Sequence, residues 1–190
     1  MNEHAMALCR GKKMTVYQLC VTALMAAVMC ILGPASIPIG EIPVTLTNLV
    51  IYLAVYLLGV KFGTLSCLVY LLLGLAGLPV FSGYAGGLAK FAGPTGGYLV
   101  GFLFMAFISG LFIEKHTHNQ LWCITGMIFG SVVMYLFGTV WYVVLTKCSF
   151  GTALAVCVLP FLIGDLLKIV IAAFVGRQLR RRLIQADLIR

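Results

Sequence analysis

Asp165 and Lys168 stand three residues apart inside the apolar stretch VLPFLIGDLLKIVIA. On a helix that spacing puts both side chains on one face, within reach of each other or of one shared ligand. A charge near the centre of a bilayer costs about 2.5–3.5 kcal/mol even on lenient insertion scales, and ionisable groups at that depth usually serve a site. The pair is a candidate binding site, with a structural ion pair as the plainer alternative. Pro160 and Gly164, just upstream, leave backbone groups of that turn less firmly held, as where a helix opens toward a cavity.

A second concentration of candidates is the segment GLPVFSGYAGGLAKFAGPTGGY, residues 77–98. It is rich in glycine, carries Pro79 and Pro94, and holds Phe81, Tyr84 and Phe91 before the closing Tyr98. Such a composition suits a compact loop folded onto helix ends, where glycines such as Gly86 let backbone groups approach a ligand and aromatic rings such as Phe81 and Tyr84 cover it. The glycines do not make a phosphate loop, because no G-x-x-x-x-G-K-[ST] run occurs.

The segment 33–48, GPASIPIGEIPVTLTN, has three prolines and leads into Thr45, Thr47 and Asn48. It reads as a proline-stiffened loop whose Thr47 or Asn48 either bonds to a ligand in a cavity or serves as a helix cap and interhelical tie. Trp141 and Tyr142 fit an interfacial aromatic belt, and Trp141 is equally a candidate for the pocket wall. His116 and His118 form only a weak H-x-H beside Glu114 and Lys115 and read as a solvated turn, so no metal is expected. Seven cysteines, an odd number with no C-x-x-C pair, read as small packing residues. No span holds a histidine, a carboxylate pair or a nucleophile beside a base, so neither catalysis nor a cofactor is expected.

Elements of a particular kind must position these groups. With 62% hydrophobic and 9% charged residues, the chain cannot bury its apolar surface in one soluble core, and lipid must be part of its solvent. A helical crossing needs about 20 apolar residues. Six apolar segments, 14–33, 45–60, 62–78, 97–113, 121–146 and 152–176, predict an all-α membrane protein of six transmembrane helices in one domain. The second and third are separated only by Lys61 between Gly59 and Gly63, which reads as a tight hairpin at one membrane face. The first segment is too long for a signal peptide's apolar core and is expected to be retained.

The net charge of +8 follows from topology better than from a nucleic-acid partner. Arg10, Lys12, Lys13, Lys61, Lys115, Arg177, Arg180, Arg181, Arg182 and Arg190 fall on the side of the termini, against Lys90 and Lys147 on the other. That bias predicts cytoplasmic termini and puts the 77–98 loop outside. Small-residue spacings at Ala23 and Ala27, Gly97 and Gly101, and Gly126 and Gly130 suit close helix packing, within this chain or against a membrane partner.

Together PVTLTNL, GLPVFSG, GPTGGYLVGF and VLPFLIGDLLK closely resemble the BioY family, the biotin-specific substrate-binding subunits of energy-coupling-factor (ECF) transporters, over residues 14 to 180. The resemblance implies six helices, a vitamin site at the outer face of a bacterial plasma membrane, and energy from a separate transmembrane coupling protein with two ATPase subunits. It also implies that Asp165 and Lys168 take part in biotin binding: Asp165 as acceptor for the ureido N–H groups, Lys168 either neutralising Asp165 or facing the carboxylate. Some members contact ligand through an asparagine in the third loop, where this chain has Tyr84 nearby. The small-residue first helix of the family makes the Ala23 and Ala27 face the candidate for docking the coupling protein. A rival from another class is an autonomous proton-coupled carrier with Asp165 as its proton site.

Overall fold

The computed structural model describes residues 16–39, 42–117 and 119–186. Its elements are α1 (Val16–Leu32), strands β1 (Ser36–Ile39) and β2 (Ile42–Thr45), α2 (Thr47–Leu75), the short α3 (Leu88–Ala92), α4 (Gly96–Lys115), α5 (Gln120–Thr146), α6 (Phe150–Cys157) and α7 (Leu159–Gln185). Four of these helices, α2, α4, α5 and α7, are long and apolar enough to cross a membrane, and α1 is a shorter apolar helix of 17 residues.

The expected hairpin between the second and third segments lies within α2. Gly59 has φ 75° and ψ −176°, a conformation open only to glycine, and there the chain reverses. A Cβ placed on Gly63 would come 2.8 Å from the Val55 Cα, whereas in one straight helix those positions lie about 12 Å apart. The two arms of α2 therefore run back against each other. The Glu114 carboxylate accepts the N–H of Val60 at 3.1 Å, and Arg180 donates to the Tyr56 carbonyl at 3.1 Å, so both sides of the turn are capped by distant side chains.

Two segments depart from expectation. The stretch 33–48 is not simply a loop: β1 and β2 pair as an antiparallel ribbon with Pro38 opposite Pro43, which corrects the purely helical reading. Prolines facing each other in a non-hydrogen-bonded register cost the ladder nothing, and a two-stranded ribbon is all edge, where proline is tolerated. The last segment, read as one helix over 152–176, is instead broken at Val158 into α6 and α7. Pro160, at the start of α7, has no N–H to give and crowds the carbonyl of the preceding turn.

The core runs down the bundle axis through Ile51, Tyr52, Val55, Met105, Met127 and Met134, all fully buried. The Tyr52 hydroxyl meets Ser131 Oγ at 2.6 Å and ties α2 to α5. Two of the small-residue pairs pack inside the chain: a Cβ on Gly97 would meet Trp141, and one on Gly130 would meet Ser109, at 2.4 Å in both cases. Gly101 lies likewise against Met134 and Gly126 against Phe112. Ala23 and Ala27, by contrast, are exposed on α1.

Candidate functional site

Where the broken helix, the ribbon and the start of α2 meet, they enclose a cavity with about 550 Å³ of atom-free space including its mouth. Asp165 and Lys168 form one end of it, in the second and third turns after the break, and both are buried, at 5% and 8% exposure. Lys168 Nζ donates to Asp165 Oδ1 at 2.7 Å and to the Thr45 carbonyl of β2 at 2.7 Å. Asn48 Nδ2 donates to Asp165 Oδ2 at 3.0 Å, and the Tyr135 hydroxyl donates to the same oxygen.

This arrangement explains how charges persist so deep in an apolar bundle. The ammonium and carboxylate neutralise each other, and three further groups satisfy most of their remaining hydrogen-bonding capacity. A carboxylate has about four acceptor positions and an ammonium three donors. Asp165 has filled three and Lys168 two, so one acceptor site and one N–H remain for a guest.

The break before α7 is held by the cavity's own wall. Tyr98, on α4, donates its hydroxyl to the carbonyl of Cys157 at 2.7 Å, where the interrupted helix leaves an acceptor to fill. Tyr98 then presents its ring to the cavity beside Tyr135, edge to face at 6.5 Å between centroids. Leu99, Phe102, Met134 and Phe161 supply the apolar wall, while Thr47, Ser82 and Thr95 add hydroxyls. Thr95 Oγ1 is buried and has no hydrogen-bond partner.

The remaining candidates of the 77–98 segment stand behind this lining rather than in it. Phe81 is fully buried, edge-on to Tyr70 at 5.5 Å and to Phe91 at 5.6 Å, and fastens the segment to α2. Tyr84, at φ 56°, is 75% exposed at the tip of the turn closed by the Phe81–Ala85 bridge. Gly86 lies against the Leu78 carbonyl, where a Cβ would come within 2.2 Å. Trp141 donates its indole N–H to the Gly93 carbonyl at 3.0 Å and holds the segment's far end to α5. The segment reaches the cavity through Ser82 and Thr95 instead. Thr47 lines the cavity together with Asp165 and Lys168.

Tyr135 is the residue that sequence reasoning missed, because a tyrosine in an apolar span passes for packing. A signal was present: Ser131, Tyr135, Thr139 and Tyr142 recur at helical spacing on the inward face of α5.

Apolar helices enclosing a small cavity, with a satisfied ion pair at one end and hydroxyls along its wall, define a multi-pass membrane protein built to bind a small molecule. The comparisons with known proteins make this specific: the chain belongs to the BioY family, whose model matches residues 6–185. It is 37% identical over 164 residues to the biotin transporter BioY of Thermotoga maritima, covering 86% of this chain and 96% of that one. It is 38% identical to the biotin transporter BioY of Rhizobium etli, over 86% of this chain and 93% of that one. Among solved structures, the 2.1 Å crystal structure of the S-component for biotin from an ECF-type ABC transporter matches with a TM-score of 0.81 at 35% identity. That match covers 88% of this chain and 95% of the other. The family is one of transport components, not enzymes.

Proposed function

We propose that this protein is a biotin-binding S-component that captures the vitamin at the outer face of a bacterial plasma membrane. It then delivers biotin for ATP-driven uptake by a separate transmembrane coupling protein and two ATPase subunits. One observation carries the reading: the Asp165–Lys168 pair lines the cavity and, held by Asn48, Tyr135 and Thr45, keeps one acceptor position and one N–H uncommitted. Biotin matches that set, with a ureido N–H for the open position of Asp165, a ureido carbonyl for a hydroxyl such as Thr95, and an apolar ring and chain for Leu99, Phe102 and Phe161. Lys168 acts here chiefly as the counter-charge of Asp165, because two of its three N–H groups are already committed.

The single domain crosses the bilayer six times when the arms of α2 are counted separately and α6 with α7 as one crossing. Lys61, Lys115, Arg177, Arg180, Arg181 and Arg182 gather at the end that holds the Gly59 turn, while Lys90 and Lys147 lie at the cavity end. This supports cytoplasmic termini and a cavity opening outward. The first arm of α2, only about 18 Å long, leaves room at membrane depth for the ribbon, whose non-helical backbone is tolerated there because it lines a cavity. Ala23 and Ala27, exposed on α1, form the face offered to the coupling protein.

Isothermal titration of detergent-purified protein, stripped of co-purified ligand, tests the reading with biotin, thiamine and riboflavin. Tight binding of biotin alone is expected. Folded protein that binds none of the three would overturn the proposal.

A further inference from the structure

On the outer surface of the bundle, at the end opposite the cavity, a groove runs between the second arm of α2, α4 and the start of α5. Its wider part is bordered by Lys61, Lys115, His116 and Trp122. It continues through Val60, Lys61 and Phe107, shared by both parts, into a narrower apolar track along Leu65, Leu68, Leu103 and Phe104. From Lys61 to Leu68 this track extends about 10 Å along the helix.

We propose that this groove is a binding site for one anionic phospholipid, with its phosphate between Lys61 and Lys115 and one acyl chain along the track toward Leu68 and Phe104. Charge complementarity carries the choice of occupant. Neither lysine has an ion-pair partner among the described residues, where Lys168 and Asp165 form the recorded pair. The carboxylate bordering the groove, Glu114, is turned onto the Val60 N–H, and two lysines against this one acid leave a net positive charge. Two buried polar atoms in the same groove lack partners: His116 Nδ1 at the wide part and Thr64 Oγ1 on the narrow track. Trp122, half exposed and stacked on His116 at 5.0 Å, stands at headgroup level, where indoles anchor membrane proteins. A protein partner would be expected to bury so exposed an indole in a polar-rimmed interface. An acyl chain needs only the shallow apolar track, which has almost no polar surface.

The inference is independent of what the cavity binds. Native mass spectrometry of the whole protein in micelles doped with phosphatidylglycerol or phosphatidylcholine tests it, with Lys61→Gln/Lys115→Gln and Leu68→Trp as site variants and Lys90→Gln as control. One phosphatidylglycerol retained per chain in preference to phosphatidylcholine is expected. The double lysine variant should weaken that retention about tenfold or more, since each lysine near an anionic headgroup contributes about 1 kcal/mol. Leu68→Trp, which fills the track without changing charge, should weaken it as well, and Lys90→Gln should leave it unchanged. Equal retention of the two lipids, or retention unaffected by the lysine variant, would overturn the proposal. So would displacement by glycerol 3-phosphate with no effect of Leu68→Trp, which would mark an anion site without an acyl-chain track.

Discussion

Replacing Asp165 with asparagine keeps the shape of the side chain and reverses what one of its two terminal atoms can do. The carboxylate accepts from Lys168 on Oδ1 and from Asn48 and Tyr135 on Oδ2. An amide nitrogen only donates, and in either orientation the neutral side chain leaves the Lys168 ammonium without its counter-charge. Turned one way, it opposes the Lys168 ammonium, leaving that 8%-exposed charge with the Thr45 carbonyl alone. Turned the other way, it meets Asn48 and Tyr135, which must flip an amide and turn a hydroxyl to accept from it. Removing one partner of a buried ion pair costs about 3–5 kcal/mol, while removing both in favour of an apolar pair is often neutral. Asp165→Asn alone should therefore lower stability by a few kcal/mol, and Asp165→Asn/Lys168→Met should recover part of it, with a coupling of about 1–3 kcal/mol. Equilibrium unfolding in mixed micelles, followed by helical circular dichroism, measures these two variants and Lys168→Met alone. Biotin titration of folded Asp165→Asn should show affinity reduced at least tenfold, about 1.4 kcal/mol. Stability effects that add to within about 0.5 kcal/mol would refute the paired design. Unchanged biotin affinity would remove Asp165 from the ligand contacts.

Two other substitutions address separate parts of the structure. Gly59→Ala puts a Cβ on a residue at φ 75° and ψ −176° and should destabilise the α2 reversal by about 1–3 kcal/mol, read as a lower unfolding midpoint with little change in biotin affinity. Ala27→Trp adds bulk to an exposed position of α1 and should leave biotin titration unchanged while abolishing co-purification with the coupling protein and its ATPases.

Rewarding as the Asp165–Lys168 spacing was as a clue, its partners came from elsewhere in the chain. Asn48 lies 117 residues from Asp165, and Thr45 lies 123 residues from Lys168. The spacing fixed that the two charges share a helical face; it did not fix what that face meets. The same limit applies to the 77–98 segment, where composition predicted a compact fold over the helix ends. Burial of Phe81 between Tyr70 and Phe91 and exposure of Tyr84 depend on how the turn closes, which composition does not encode. The ribbon of residues 36–45 was hidden because prolines suppress the alternation that reveals strands, yet they are harmless in an unaccompanied pair.

The sequence by itself determined that the chain is helical and lipid-solvated, that it turns back near Lys61, between Gly59 and Gly63, that its positive charge gathers at one end, and that Asp165 and Lys168 lie on one face. These properties are local, set by hydropathy over about 20 residues and by helical geometry over three. Only the tertiary structure decided that Asn48, Thr45, Tyr135 and Tyr98 converge on that face and leave one acceptor and one donor open. A buried charge takes its partners from whichever elements packing brings within 3 Å, and packing is a property of the whole bundle rather than of any segment.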